Sequence, residues 1–351
     1  MVHFHKLTIK EIVKETANAV TISFSIPEHL NEVFTFKAGQ YITIKTIING
    51  EELRRDYSLC VDAKSREFKV AVKAVENGTF SMYANNDLKI GDVLEVSEPN
   101  GRFIFTPDDL QSRTIVAFAA GSGITPIMSI IKTLLKQEPS SKFILIYGNK
   151  TPKDTIFYNE LLALQSQFEN RLDIHFVFSQ SNIEGSLFGR IETSTVNYII
   201  KNKYKDVVID AFYLCGPEAM TKNVNSILNE NGIENDVIFY ELFTTPVSDT
   251  TENTTISEGK TQITILVDEE ESTFLMSQKD SVLDAALAQK IDAPYSCQGG
   301  ICSSCLARIT EGKATMRQNN ILTENELAEG LVLTCQAHPT TPTIIVDYDD
   351  V

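Results

Sequence analysis

The sequence has few basic residues, no long apolar run and no apolar leader, and each shortage excludes a class of protein. Its 31 Lys and Arg stand against 47 Asp and Glu, a formal net charge of −16, which argues against nucleic acid or an anionic membrane surface as a partner. No stretch reaches the roughly eighteen consecutive apolar residues of a membrane-spanning helix. The first residues, MVHFHKLTIKEIVKE, carry scattered charges, so we expect no secretion signal and a cytoplasmic protein.

Cysteine and histidine are also scarce, but the cysteines are unevenly placed. Six in 351 residues are too few for a disulfide scaffold, and four of them lie between Cys297 and Cys335. The five histidines have no metal-ligand spacing, and no Ser–His–Asp arrangement is visible. Clustered thiols in a cytoplasmic chain indicate a metal site.

The length predicts two or three domains, because 351 residues exceed one hydrophobic core. A content of 42% hydrophobic and 22% charged residues is typical of a folded protein. No internal repeat divides the chain. Residues 244–260 hold eight Thr and Ser and almost no large apolar side chain, which predicts a linker.

Two different patterns precede this linker. Residues 1–107 contain short alternating runs such as YITIKTII and FKVAVKAV, which predict an antiparallel β-barrel or sandwich. Residues 108–243 alternate apolar strands with amphipathic helices, as in TIVAFAAG followed by TPIMSIIKTLLKQ, which predicts an α/β domain with a parallel sheet covered on both faces. Residues 261–351 predict a small mixed α+β sheet with one helix, VLDAALAQK, capped by Asp280 or Ser281.

The strongest chemical signal is the set Cys297, Cys302, Cys305 and Cys335, with the spacing C-x4-C-x2-C-x29-C. Four thiolates at this plant-type spacing can hold a [2Fe–2S] cluster, and Gly299 and Gly300 permit a tight ligand loop. Four thiolates also suit tetrahedral zinc, although zinc sites usually pair two Cys-x-x-Cys hooks and only one is present. By these residues the last domain resembles plant-type ferredoxins, which implies a β-grasp fold.

The string RRDYSLC resembles the Arg-x-Tyr-Ser motif of the ferredoxin–NADP reductase family. The resemblance implies that Arg55 reaches the FAD pyrophosphate, Tyr57 lies against the isoalloxazine and Ser58 lies near the reactive flavin nitrogen. A guanidinium can fork onto phosphate oxygens and an aromatic ring offers a stacking face. Arg and Tyr on a strand are also commonplace.

A second flavin string of this family follows as VKAVENGTFS. In it Gly78, Thr79 and Ser81 offer close backbone approach and hydroxyl donors to a phosphate. Lys73 adds charge there or is simply a solvated strand lysine. Cys60 is interpreted as a core residue.

The segment AAGSGITP resembles the nicotinamide-nucleotide loop of the family. It lacks the third glycine of the dinucleotide fingerprint, but it leaves a buried strand and opens a helix, where backbone N–H groups bind a pyrophosphate. We expect Thr125 as N-cap and Pro126 as the first helical residue. The candidate nucleotide residues here are Gly121, Ser122, Gly123 and Thr125.

Two further strings match the family before the linker. Cys215, Gly216 and Pro217 match its Cys-Gly-Pro, placed where the nicotinamide approaches the flavin; Cys215 is otherwise a small buried core thiol. The stretch YELF implies that Phe243 shields the flavin and that Glu241 is a proton relay. By the resemblance, Ser58, Cys215 and Glu241 are the expected catalytic residues. Without it, Glu241 is a charge at a strand end.

The resemblance covers nearly the whole chain and implies an enzyme that passes electrons from NAD(P)H through FAD and a [2Fe–2S] cluster to an oxygenase. With its ferredoxin at the C-terminus, the chain resembles the reductase components of phenylacetyl-CoA epoxidase and 3-ketosteroid 9α-hydroxylase, and YGN at 147–149 and FSQ at 178–180 resemble the former. The alternatives are a non-catalytic iron–sulfur carrier or redox sensor, and a zinc-stabilised binding module.

The nucleotide is expected to be NADPH rather than NADH, because polar and cationic side chains fall where the ribose 2′-phosphate would lie. The candidates are Ser179, Lys150 and Arg190, whereas Gln180 stands where some relatives have arginine.

Overall fold

In the computed structural model, which describes residues 3–243 and 259–351, the alternating runs of the N-terminal part form six antiparallel strands. They are β1 (Phe4–Thr16), β2 (Ala19–Ser25), β3 (Tyr41–Ile48), β4 (Glu51–Ser58), β5 (Lys69–Lys73) and β6 (Val93–Ser97). Their order is β4-β3-β6-β1-β2-β5, and a bridge between Leu59 and Val70 joins the two ends. The sheet therefore closes into the predicted barrel around a continuous apolar core. Helix α1 (Thr79–Asn86), which the sequence patterns did not predict, lies between β5 and β6.

The strand–helix alternation that follows forms a six-stranded parallel sheet. Its strands are β7 (Thr114–Ala120), β8 (Lys142–Asn149), β9 (Leu172–Phe178), β10 (Leu187–Phe188), β11 (Ala211–Gly216) and β12 (Ile238–Leu242). Its helices are α2 (Ile124–Gln137), α3 (Tyr158–Gln167), α4 (Thr193–Asn197) and α5 (Glu218–Glu230). Separate apolar clusters cover the two faces, which explains the unbroken burial of residues 115–119 in β7.

The strand order of this sheet is β10-β9-β8-β7-β11-β12. From β7 the chain adds strands first on one side, as β8 to β10, and then on the other side, as β11 and β12, so the switch point lies between β7 and β11. Both strands end at the same edge of the sheet because all its pairings are parallel. In open α/β sheets, ligands bind outside the carboxyl ends of the strands at this switch point. This rule predicts a ligand at the turns where Gly121 and Pro217 follow their strands, an edge of the sheet that we call the switch-point crevice.

A polar contact, which we call the α2 clasp, fixes the barrel to the parallel sheet. It joins residues 60–63, which leave the barrel after β4, to one face of α2. Ser129 donates to the carbonyl of Val61 (2.6 Å), and the hydroxyl of Thr133 accepts from the N–H of Ala63 (3.1 Å). Because buried backbone groups need partners, the clasp sets the distance between the end of β4 and the start of α2.

A buried ion pair holds the connection between these two parts. Glu138 has no exposed side-chain surface, and its carboxylate accepts from Arg113 at 2.5 and 3.1 Å and from the backbone N–H of Asp108 at 2.9 Å. The connecting segment 106–113 is thereby tied to the end of α2. Neither Arg113 nor Glu138 stands out in the sequence.

Residues 259–351 form a five-stranded mixed sheet and a separate two-stranded sheet. The strands are β13 (Lys260–Val267), β14 (Glu270–Ser277), β15 (Leu306–Glu311), β16 (Ala314–Met316), β17 (Leu331–Leu333), β18 (Ala337–Pro339) and β19 (Thr343–Asp347), and the helices are α6 (Val282–Ala288) and α7 (Glu324–Ala328). The main order is β14-β13-β19-β15-β17, with β16 paired to β18. Of the two proposed caps of α6, Ser281 is the one that accepts from the N–H of Asp284.

The chain divides into two compact units, one spanning residues 4–243 and the other containing residues 259–351. The barrel and the parallel sheet thus belong to one unit. Residues 244–258 of the predicted linker lie outside the described residues, and its last residue, Lys260, begins β13. None of the described helices is long and apolar enough to cross a membrane.

Candidate functional site: a switch-point crevice and a four-thiol loop

The crevice at the switch point is lined by the two glycine-containing turns that the sequence singled out. Residues Gly121–Gly123 form a 3₁₀ turn after β7, whereas Gly216 ends β11 and Pro217 follows it. A Cβ added at Gly123 would overlap the carbonyl group of Cys215. Glycine is therefore required at 123 for the first turn of α2 to lie against β11.

The start of α2 differs from the expectation. Thr125 was expected as N-cap, but the helix begins at Ile124 with Gly123 as its N-cap, so Thr125 and Pro126 are its second and third residues. The 3₁₀ turn continues directly into the helix because Gly123 already has helical dihedral angles. The hydroxyl of Thr125 donates to the carbonyl of Ser122 (3.0 Å), which stabilises the turn.

The three residues proposed as catalytic lie together at the edge of this crevice. Ser58, the last residue of β4, donates through Oγ to Oε2 of Glu241 at 3.4 Å, although the two residues are 183 positions apart in the chain. Glu241 in β12 is the register partner of Cys215 in β11. Three separate segments thus converge on one point, with Ser58 and Cys215 buried.

Burial raises the pKa values of two of these three residues, Glu241 and Cys215. Desolvation, with the nearby carboxylate of Asp56, raises the pKa of Glu241 to about 8, and the hydrogen bond from Ser58 opposes the shift. Burial also raises the pKa of the Cys215 thiol well above its ordinary value, with Glu241 adding to it. Near neutral pH, Glu241 therefore holds a proton and Cys215 is a neutral thiol.

The other candidate flavin residues lie in β4 of the barrel and directly after β12 of the parallel sheet. Tyr57 packs against Phe80 of α1, with ring centroids 5.5 Å apart, and burial raises its pKa. Arg55 is exposed and donates to the carbonyl of Arg54 (2.7 Å). Phe243, directly after β12, is 38% exposed. The aromatic and cationic groups required for a flavin are present, with Arg55 open to solvent.

The string VKAVENGTFS forms the N-terminus of α1, with Gly78 as the N-cap and Thr79 as the first helical residue. A Cβ at Gly78 would overlap the hydroxyl of Ser81, so a larger residue there would displace that hydroxyl. The Ser81 hydroxyl accepts from the N–H of Val75 (3.1 Å) and donates to Gly78 (3.4 Å). Ser81 therefore shapes the turn, and the first backbone N–H groups of the helix are the donors available to a phosphate.

Lys73 in β5 is not simply a solvated lysine, because its ammonium group lies next to the nucleotide turn. Its Nζ would lie 3.3 Å from a Cβ on Gly121, so a barrel lysine reaches the nucleotide turn of the parallel sheet. Its pKa is lowered, first by burial and then by the neighbouring Lys150. Two cations close together favour an anion between them. Only the fold reveals this, because Lys73 and Gly121 belong to different domains of the sequence.

The nucleotide-specificity candidates lie at the carboxyl ends of neighbouring strands. The N–H of Ser179 donates to Asn149 (3.0 Å) and that of Gln180 to Lys150 (2.9 Å), which extends the pairing of β8 and β9. The segments that carry Ser179 and Lys150 therefore run side by side. Arg190 follows β10 and is exposed.

The four clustered cysteines form a second site, in the unit containing residues 259–351. The sulfurs of Cys297 and Cys302 lie 3.1 Å apart, and Cys335 is hydrogen-bonded to Cys305 and to Cys297. Hydrogen bonds from Cys302, Cys335 and backbone N–H groups lower the pKa of Cys297 well below its ordinary value. Cys297 and Cys302 are partly exposed, whereas Cys305 and Cys335 are buried.

The backbone of this loop fits a sulfur-rich group. The N–H of Gly299 points at Sγ of Cys297 (3.3 Å), and Gln298 and Gly300 adopt left-handed conformations with φ of 52° and 70°. The backbone N–H of Asn320 donates to the carbonyl of Gly300. The side-chain nitrogen of Asn320 is buried and has no hydrogen-bond partner. Among the described residues, no three His, Cys, Asp or Glu side chains are arranged around a single metal ion. The contacts Cys302–Cys297, Cys297–Cys335 and Cys335–Cys305 instead bring all four thiols together, and they would supply the four thiolates that a [2Fe–2S] cluster requires.

We predict that Glu241→Gln changes how stability depends on pH. The folded chain holds this proton up to about pH 8, whereas the unfolded chain loses it near pH 4.5, so the parent loses stability as pH rises between these values. The loss is at most about 1.4 kcal/mol per pH unit. Thermal unfolding of the full chain should be measured at pH 5, 6, 7 and 8. The Tm of the variant should rise relative to the Tm of the parent at each step. A difference in Tm that stays constant across this range would contradict the raised pKa, and Glu28→Gln, an exposed carboxyl change, is the control.

Comparison with family models assigns three regions. Residues 6–105 match an oxidoreductase FAD-binding domain, residues 118–226 an oxidoreductase NAD-binding domain, and residues 265–340 a 2Fe-2S iron-sulfur cluster binding domain. The last match contains all four cysteines, so the cluster rather than zinc is the group of this domain. The predicted cofactor set is confirmed at this level.

Curated relatives align with nearly the whole chain. A 1,2-phenylacetyl-CoA epoxidase subunit from Escherichia coli (strain K12) is 38% identical over 351 residues, covering 99% of both chains. The ferredoxin reductase component of 3-ketosteroid-9-alpha-monooxygenase from Rhodococcus rhodochrous is 31% identical, covering 97% of this chain and 96% of that one.

Among solved structures, phthalate dioxygenase reductase, described as a modular structure for electron transfer from pyridine nucleotides to [2Fe-2S], aligns with a TM-score of 0.62 and 24% identity over 98% of both chains. This likeness concerns the fold. Together with the relatives above it confirms the predicted fold class. The chain therefore belongs to the family of NAD(P)H-dependent flavin and iron–sulfur oxidoreductases that serve as reductase components of oxygenase systems.

Proposed function

We propose that this reductase supplies electrons to an oxygenase of the phenylacetyl-CoA epoxidase type, in the cytoplasm, where thiol ligands stay reduced. The observation that supports it is the end-to-end alignment, at 38% identity, with one chain of such an epoxidase. When bound, FAD accepts a hydride and releases its electrons singly to a cluster that carries one at a time.

The barrel residues hold the flavin in this proposal. Arg55 and the N-terminus of α1, at Gly78 and Thr79, bind its phosphates, while Ser81 keeps that turn in shape. Tyr57, fixed by Phe80, offers one aromatic face, and Phe243 covers the other side. The exposure of Arg55 and Phe243 leaves both side chains free to close on a cofactor.

The switch-point turns hold the nicotinamide nucleotide. Backbone N–H groups of the turn Gly121–Gly123 and of the first turn of α2 bind the pyrophosphate, with Lys73 as an added cation. Ser122 and Thr125 maintain the turn through their mutual hydrogen bond. Gly216 and Pro217 line the other side of the crevice, and Cys215 orients the nicotinamide as a neutral thiol.

Proton movement in this proposal uses Ser58 and Glu241. Glu241 holds a proton at neutral pH, and its Oε2 lies 3.4 Å from Oγ of Ser58, within reach of a relay across one hydroxyl. Ser58 ends β4, on the side of the barrel that faces the crevice, so it can pass a proton between the carboxyl and a ring bound there.

The cluster ligands are Cys297, Cys302, Cys305 and Cys335. A carrier or sensor without catalysis, the alternative from another class, does not require the converged Ser58, Cys215 and Glu241. A visible spectrum of the purified chain separates the two, because the reductase shows flavin bands together with broad cluster absorption, both bleached by NAD(P)H.

Replacing one ligand tests the order of electron flow. Cys302→Ser should remove or cripple the cluster and leave FAD bound, because the ligand loop belongs to the unit that does not contain the flavin residues. Reduction of ferricyanide by NAD(P)H should stay within about twofold of the parent, whereas oxygenase-coupled turnover should fall at least about a hundredfold. Cys60→Ala, at a buried thiol of the barrel, is the control and should keep both activities. Full cluster absorbance and coupling in Cys302→Ser would contradict the ligand assignment.

Nucleotide preference tests the specificity candidates. We expect the parent to have a higher kcat/KM for NADPH than for NADH. In Lys150→Gln the kcat/KM for NADPH should drop about tenfold, or 1.4 kcal/mol, whereas that for NADH should not change. Lys201→Gln, at an exposed lysine of the same sheet domain, should change neither value. A clear preference of the parent for NADH would refute this assignment.

Docking of the oxygenase is expected to depend on charge. Residues 261–351 carry five Lys and Arg against fourteen Asp and Glu, so more than half of the net charge lies on about a quarter of the chain. Opposite charge on the partner would speed a transient encounter, although acidic surfaces also simply aid solubility.

The coupled rate should fall as salt rises from about 0.02 to 0.5 M, because the screening length shortens several-fold. Ferricyanide reduction in the same buffers reports salt effects on the reductase itself. A coupled rate that is flat over this range would exclude electrostatic docking and leave the electron pathway intact.

A further inference from the structure

Gln336, the residue after the ligand Cys335, directs its side chain back into the ligand loop. It is only 9% exposed. Its Nε2 donates to the carbonyl of Gln298 at 3.0 Å and lies 3.7 Å from Sγ of Cys335, within the range of an N–H···S hydrogen bond. An amide nitrogen has two hydrogens, so one group can serve both acceptors.

The loop is shaped to admit this side chain. Gln298 directly follows Cys297 and has a φ of 52°, which turns its carbonyl toward Gln336. A Cβ at Gly300 would lie 3.0 Å from Cγ of Gln336, so the absence of a side chain at 300 makes room for the amide. The amide therefore joins the segment of the first two ligands to the strand region of the fourth.

A neutral donor beside a ligand sulfur acts on the oxidised and reduced clusters unequally. Reduction adds one electron and no proton to a thiolate-bound cluster, so its sulfurs become more negative and accept hydrogen bonds more strongly. Donors to the sulfurs, together with net charge and solvent exposure, set the reduction potentials of such clusters.

We propose that Gln336 is a positioning residue for the iron–sulfur cluster: its amide, oriented by the carbonyl of Gln298, donates to Sγ of Cys335 and raises the reduction potential. The proposal rests on the cysteine ligands proposed above and concerns the energy of the electron on the cluster, not its presence. Nothing in the residue's spacing along the sequence distinguishes it from an ordinary buried glutamine.

The test is a redox titration of the full cofactor-loaded chain, followed by the electron paramagnetic resonance signal of the reduced cluster. Gln336→Met keeps the length of the side chain and removes the donor. At a fixed solution potential near the parent's midpoint, the ratio of reduced to oxidised cluster should fall about threefold. For a one-electron couple this is about 28 mV, from 59 mV per tenfold change.

Gln262→Met is the matched control, because Gln262 is an exposed glutamine of β13 in the same unit, and its ratio should equal the parent's. The ratio is normalised to bound cluster, so partial loss of iron does not imitate the effect. A ratio in Gln336→Met equal to that of the parent would overturn the proposal.

If Gln336→Met binds too little cluster for titration, Gln336→Glu decides by the same measurement. It has the shape of glutamine but, when ionised, adds negative charge and lacks the donor, so its reduced fraction should fall by more than about threefold. An unchanged fraction would overturn the proposal. These outcomes are separate from those of Cys302→Ser, which report whether Cys302 is a ligand at all.

Discussion

The α2 clasp is the interaction on which the flavin–nucleotide unit depends. Helix α2 starts at the nucleotide turn, and the segment 60–63 starts two residues after Ser58, so their hydrogen bonds fix the two halves of one crevice against each other. Ser129 and Thr133, four residues apart on one helix face, satisfy backbone groups that would otherwise be buried without partners. The buried pair of Arg113 and Glu138 holds the other end of the same helix. A shift of α2 would therefore move the nucleotide turn away from Ser58 at the end of β4.

The proton affinities in the crevice follow from this closeness and from the burial of its side chains. Glu241 and Asp56 are carboxyl groups in a partly desolvated corner, and Glu241 keeps its proton to about pH 8. A proton held near neutral pH, one hydroxyl away from the site, is what acid–base chemistry at physiological pH requires. The neighbouring Cys215 is neutral for the same reason. Close packing is thus the common cause of both proton affinities.

In the iron–sulfur unit, the conformation of one loop brings the four thiols together. Left-handed backbone at Gln298 and Gly300 bends the loop so that N–H groups face sulfur. Cys305 and Cys335 are buried, whereas Cys297 and Cys302 are partly exposed, so the four thiols differ in their access to solvent. Side-chain amides such as Gln336 can then adjust the energy of that electron without adding charge.

Local patterns in the chain were enough to predict the three fold classes and the four clustered thiols, because strand and helix periodicities and the spacing of Cys297 to Cys305 need no long-range contact to be visible. The FAD and nicotinamide cofactors were predicted from the family resemblance of short motifs. Ser58, Cys215 and Glu241 were predicted from the resemblance of their motifs to a known family, because no pattern of composition or spacing distinguishes them. The start of α2 was misplaced by two residues, since whether Gly123 continues a turn into a helix depends on its contact with β11. The proximity of Lys73 to Gly121, the ion pair of Glu138 and the raised pKa of Glu241 emerged only from the folded chain. Each arises from desolvation or contact between segments far apart in the chain, and such contacts leave no periodic trace in the sequence.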